Sequence, residues 1–329
     1  MIGVFKQKTP ANILLLLLFG LLIKIPMFLH PHVPAAVPKD GLLFHWLLGQ
    51  LQPAGNSAPV LYALLAFLLL YTQAVSLNSL INRNRMTQRL TYFPGMAYLL
   101  VTSLVPEWNH FSAPMVVNSL LILVLSWLFR TYNQPRAKGI IFNVGLAIGV
   151  MSFLYFPSLV FMIWAIFALM LLRPFRINEW LLCLLGITAP YYFYVIYLVL
   201  TDQWSLQKIV PGISIQVPRL TQSIWLAASA FFLCVPFLMG GYYVQDNLRR
   251  MLIQVRKGWS LILLYLLAGI LIPFLNTTHS FENWIIVAVP FAAFHAAAYL
   301  YPSRLLYSRI LFWSMTLFIL AYQYYGPGW

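Results

Sequence analysis

Residues 24–51, KIPMFLHPHVPAAVPKDGLLFHWLLGQL, separate two long apolar segments, and ionisable groups first gather here as His30, His32, Asp40 and His45. Four prolines in the leading half fix φ and donate no amide hydrogen bond, so that half reads as extended. From Gly41 the pattern changes. Gly41, His45, Gly49 and Gln52 share one face at helical spacing, while Leu43, Phe44, Leu47, Leu48 and Leu51 share the other. A helix lying in a membrane interface has this pattern. Its polar side would carry Asp40 and His45 to the mouth of any cavity that the neighbouring helices enclose. A loop that only seals the bundle would look the same.

Outward from this stretch, the composition fixes the class. Of 329 residues 62% are apolar and 8% charged, against roughly 25% charged in a soluble domain. This is the composition of an all-α polytopic membrane protein. The net charge of +14 does not indicate nucleic acid, because the basic residues sit in short loops between apolar runs. Residues 11–29 follow a basic N-terminus but lack a small-residue cleavage site, so they read as a retained span. Cys183 and Cys234 lie in separate apolar segments and define no disulfide framework.

At roughly 20 apolar residues per span, about eleven spanning helices are expected. They centre on 11–29, 59–80, 90–105, 112–130, 139–155, 158–173, 180–200, 223–244, 259–275, 283–301 and 305–324. Residues 139–173 read either as two spans or as a re-entrant hairpin, because Tyr155–Ser158 leaves almost no loop. Sixteen of twenty basic residues fall in alternate loops, which places the N-terminus in the cytoplasm and the C-terminus outside. Four of the six acids, Asp40, Glu107, Asp202 and Glu282, fall in the outer loops with five of the six histidines. Polar chemistry is therefore expected at the outer face.

Glu107 and His110, in PEWNH, are close enough in sequence to share a proton or a divalent ion, although a capped turn has the same composition. Asp40 precedes the amphipathic helix, where Asp also serves as an N-cap. Lys208 and Arg219 are basic residues in an outer loop, against the charge rule, and suit a lipid phosphate; snorkelling explains them equally well. Lys24, late in the first span, is expected to snorkel to the interface. His295, Asn78, Asn118 and Asn143 read as interhelical hydrogen-bonding groups, and Gly139, Gly145 and Gly149 as small faces for close helix approach. RPFRINEW reads as a structural corner in which Pro174 stops one helix and Glu179 favours the start of the next. No Walker A, HExxH or GxSxG motif occurs, which argues against ATP hydrolysis and zinc proteolysis.

Residues 4–17 (VFKQKTPANILLLL), 69–122 (LLYTQAVSL through VVNSLLI) and 142–193 (FNVGLAIGV through APYYF) resemble an uncharacterised family of polytopic bacterial inner-membrane proteins. More remotely, the layout is similar to the GT-C class of membrane glycosyltransferases, which use polyprenyl-phosphate-linked sugars. That resemblance implies a single membrane domain over 1–329, with a GT-C-like core in 1–222 and additional spans in 223–329. It implies Asp40 as acceptor-activating base or metal ligand, Glu107 as second acid, and Lys208 or Arg219 as phosphate contact. His45 and His110 would border the substrate, with a divalent metal as candidate cofactor. Asp40 stands outside any Asp-Glu pair or DxD motif, and no large outer domain follows. A non-catalytic scaffold of an envelope export or assembly complex and a lipid or solute transporter are the competing readings. The bilayer is the one partner that composition itself requires.

Overall fold

Long apolar runs satisfy their backbone polar groups in a membrane only by coiling into helices or closing into a barrel, and this chain coils. A computed structural model describes residues 2–7, 9, 11–35, 40–209, 223–275 and 280–327. Among the described residues there is no strand, only an isolated antiparallel bridge between Asp40 and Tyr155. The main helices are α1 (Ala11–Ile23), α2 (Leu42–Ser57), α3 (Val60–Arg83), α4 (Phe93–Thr102), α5 (Ala113–Thr131), α6 (Lys138–Leu154), α7 (Phe161–Leu172), α8 (Ile177–Leu200), α9 (Ile224–Asn247), α10 (Ile253–Leu271), α11 (Ala288–Leu300) and α12 (Leu305–Tyr325). Seven helical segments, α3, α5 and α8 to α12, are long and apolar enough to cross a membrane. The apolar helices α1, α4, α6 and α7 are shorter.

The connections gather at two opposite ends. At one, the Tyr92 amide donates to Phe5 O at 2.8 Å, Gln88 Nε2 to Asn247 Oδ1 at 3.2 Å and Trp259 Nε1 to Met86 O at 3.2 Å. Most of the arginines lie in these loops, and this is called the arginine end. At the other, the Gly41 amide donates to Leu154 O and Trp108 Nε1 to Phe281 O, both at 2.9 Å, with three of the histidines nearby. This is the histidine end. The hairpin of α6 and α7 starts at Lys138 in the arginine end, turns at Tyr155 and Phe156–Val160 in the histidine end, and returns to Arg173.

Packing explains several of the sequence signals. Gly145 and Gly149 let α6 lie directly on α8: a Cβ at Gly145 would stand 2.1 Å from Cys183 O, and one at Gly149 2.6 Å from Ile187 O. Gly139 has open space around it and plays no such part. Asn118 joins three helices, donating to Tyr98 Oη at 2.9 Å and accepting from Tyr265 Oη at 3.0 Å, while Tyr98 donates to Gln73 Oε1 at 2.5 Å. Helices on either side of residue 222 thus share one buried network. Asn78 Oδ1 accepts from the Gly95 amide at 3.4 Å, and His295 Nε2 meets Leu233 O at 3.1 Å, so both join helices as expected. Asn143 does not: it is exposed on α6, one residue off the face that packs on α8.

The corner expected at Arg173–Glu179 is closed on all sides. Arg173 donates from Nε to Glu179 Oε2 at 2.7 Å and from Nη2 to Oε1 at 2.8 Å, a bidentate fork. Its Nη1 donates to Thr131 O and Gln134 O at 2.8 and 2.6 Å. Both side chains are buried, and one guanidinium ties α5, α7 and α8 together.

Candidate functional site

The amphipathic helix forms where the sequence places it. In α2, Phe44 and Leu48 are buried one turn apart and Leu47 and Leu51 are half-buried, while Gly49 and Gln52 are exposed. Leu43 departs from the expected apolar face and is exposed, beside the exposed Trp46. Phe44 packs on Phe111 with ring centroids 5.8 Å apart, which docks α2 on the bundle. The residue at the N-cap of α2 is Gly41 and not Asp40. Asp40 instead pairs its backbone with Tyr155, drawing the chain onto the α6–α7 turn. Gly41 is required there, since a Cβ would lie 2.0 Å from Phe153 O.

This docking opens a groove of about 690 Å³ beneath α2, counting its mouth. Asp40, His45, Ser152, Tyr191 and Lys208 line it with Phe156. Ser152 and Tyr191 share a hydrogen bond of 2.6 Å between their hydroxyls, joining α6 to α8. Lys208, on the short helix Leu206–Ile209, donates to Gln203 Oε1 at 2.9 Å and keeps its exposed ammonium at the rim. Three of the expected site residues, Asp40, His45 and Lys208, therefore meet in one groove. A second, almost wholly apolar groove of about 570 Å³ is lined by Phe156, Pro157, Leu159, Val160, Met162 and Ile163. Phe156 is a wall of both.

Glu107 and His110 stand in a neighbouring cluster. Glu107 lies on a 3₁₀ turn, Pro106–Asn109, and its Oε2 accepts from the Phe281 amide. Burial pushes the Glu107 carboxyl above its ordinary value, and the neighbouring Glu282 adds to this; the Phe281 amide and His110 oppose both. His110 faces Glu282, not Glu107: Nδ1 lies 3.7 Å from Glu282 Oε1. The ring of His110 stacks on His32 with centroids 4.2 Å apart and planes 6° apart. Loss of water on the stacked face lowers the His32 imidazole and His110 lowers it further, while Glu282 raises it. Arg219 lies outside the described residues. Among the described residues, no group of three or more His, Cys, Asp or Glu is placed to hold a metal ion.

Two features of this end were not anticipated. Lys24 does not snorkel; it is completely buried, with Nζ donating to Thr102 Oγ1 at 3.1 Å and to Asn109 Oδ1. A break in the helix at Lys24, between α1 and the short helix Ile25–Leu29, turns the side chain inward, and Pro26 two residues on is the sequence signal for that break. The second is Tyr155, whose buried hydroxyl has no hydrogen-bond partner among the described residues although the Asp40 and Glu282 carboxylates both act on it. No family model, curated protein or solved structure matches this chain.

Proposed function

We propose that this protein is a GT-C-like membrane glycosyltransferase that acts on a polyprenyl-phosphate-linked sugar in the groove beneath α2. The observation that carries the reading is the shared wall at Phe156. A polar groove with a carboxylate, an imidazole, two hydroxyls and an ammonium runs beside an apolar groove of similar size. An amphipathic substrate fits that pairing, with its sugar and phosphate against Asp40 and Lys208 and its isoprenoid chain along Phe156–Ile163.

In this reading the Asp40 carboxylate takes the proton of an acceptor hydroxyl. The oxygen so freed attacks the sugar carbon bonded to phosphate, and that carbon–oxygen bond breaks. The lipid phosphate leaves with both electrons, its charge met by Lys208. Asp40 is assigned the role of base because, among the described residues, the carboxylates and imidazoles of this end form no three-ligand set. His45 and the Ser152–Tyr191 pair border the sugar. His110 lines a different recess, and Glu107, which accepts from the Phe281 amide, supports the loops around the groove.

The four shorter apolar helices count here as crossing, which makes eleven spans. The histidine end then faces outward and the arginine end the cytoplasm, in agreement with the charge rule for a bacterial inner membrane. The test is photolabelling of the purified protein by a polyprenyl phosphate carrying a photoreactive tail. Labels should map to residues 156–163, and Lys208→Ala should weaken labelling at least about tenfold. A scaffold or a transporter with a central path would give labels elsewhere, with no dependence on Lys208.

A further inference from the structure

Behind Asn109, at the histidine end, lies a buried group that the transfer reaction does not use. Lys24 is fully buried and belongs to the first apolar segment. The Thr102 hydroxyl donates to Tyr98 O at 2.9 Å, and Asn109 Nδ2 donates to the Val105 and Pro106 carbonyls at 3.3 and 3.2 Å. Both oxygens that face the amine are thereby fixed as acceptors. An ammonium carries three donors, and here it uses two. Among the described residues no carboxylate lies within ion-pair distance of it.

A buried charge is costly without a counter-charge, and an ionisable side chain inside a membrane domain is a functional candidate for that reason. Asn109, which accepts from Lys24, also lines a recess together with His30, His32, His110, Tyr62 and Phe111. Of the carboxylates beside it, Glu107 accepts from the Phe281 amide, and Glu282 faces Nδ1 of His110 and leaves its other ring nitrogen for the recess. The recess therefore presents three imidazoles and one amide over a buried amine. It shares no lining residue with the groove around Asp40.

We infer that this recess is an oxyanion site that takes a phosphate group, free or as a phospholipid head, with the histidines as donors and Lys24 as the buried counter-charge. The inference stands whether or not the Asp40 groove catalyses transfer. In neutral detergent, inorganic phosphate should raise the unfolding temperature of the full chain saturably. Lys24→Met should abolish that rise. Because the buried substitution can itself disturb folding, the doubly substituted rim variant His30→Gln/His32→Gln provides an independent arm, and its affinity for phosphate should fall at least about tenfold.

The lipid source is read in nanodiscs of phosphatidylglycerol or phosphatidylcholine, by counting retained lipids with native mass spectrometry. Retention of phosphatidylglycerol that is lost in the rim variant, without an effect of inorganic phosphate, assigns the site to a lipid head. Equal phosphate affinity in wild type and rim variant, as the arginine end would produce by itself, overturns the inference. So does the absence of both effects.

Discussion

Two buried cations, one at each end of the molecule, are held in opposite ways. At the arginine end, Arg173 is buried with each of its three guanidinium nitrogens answered, by Glu179 and by the carbonyls of Thr131 and Gln134. At the histidine end, Lys24 is buried and among the described residues no carboxylate pairs with it, while unpartnered buried hydroxyls occur at both ends, Tyr155 and Ser158 at this one and Thr91 and Tyr301 at the other. A closed network fixes helices, whereas an open one keeps donors in reserve for something that binds. A buried ammonium without a counter-charge costs free energy, which makes Lys24 the functional candidate of the two.

The largest expected effect tests the closed end. Glu179→Gln removes the charge that faces Arg173 and should destabilise the protein by about 3 kcal/mol or more, because a buried cation is left uncompensated. Reversible unfolding in mixed detergent micelles measures it. A loss below about 1 kcal/mol, the range of an exposed ion pair, would contradict the closed corner.

Next in size is the helix contact on which the groove rests. Gly145→Val drives a side chain into Cys183 O, which should cost about 1–3 kcal/mol and disturb the Ser152–Tyr191 pair as α6 separates from α8. The same unfolding assay applies, and Gly139→Val serves as a control that should be nearly silent, since its position is open.

Tyr155→Phe reverses the expected sign. Deleting a buried hydroxyl that has no partner should leave stability unchanged or raise it by up to about 1 kcal/mol, whereas deleting a partnered one lowers it. A clear loss of stability would show that the hydroxyl is engaged.

The smallest effect is one of pH. His32 stays neutral when stacked, so the stability it lends is present above its ordinary value and is lost as pH falls through its lowered one. His32→Phe keeps a ring on His110 but cannot take a proton. From about pH 7.5 to about pH 5 the wild type should lose more thermal stability than this variant, by less than about 1 kcal/mol because the ring is partly solvated. The other ionisable groups of this end are present in both proteins, so their contributions largely cancel in the difference. Parallel curves would remove His32 as the cause.

Which parts were legible in the sequence follows from the physics of each signal. Apolar length and loop charge are local properties, so the helices and the sorting of loops to two ends could be read directly. The corner at RPFRINEW was legible for the same reason, since its partners lie six residues apart in the chain. The amphipathic helix was legible from its spacing, and with it the neighbourhood of Asp40 and His45. Other pairings depend on folding distant loops together. Glu107 and His110 are neighbours in sequence, yet one bonds Phe281 and the other Glu282. Lys24 shows the same limit more sharply. A lysine near the end of a span can snorkel or turn inward, and only the positions of Thr102 and Asn109, far along the chain, decide between them.

The most direct test of the proposed chemistry is transfer itself. Purified wild type and Asp40→Asn are incubated with radiolabelled polyprenyl-phosphate-linked sugars extracted from the native membrane, together with extracted envelope glycans, and the label leaving the lipid is counted. The account predicts transfer by the wild type and a loss of about 100-fold or more in Asp40→Asn at unchanged thermal stability. Equal transfer by the two proteins, or none by a folded wild type across the extracted lipid-linked sugars, would contradict it.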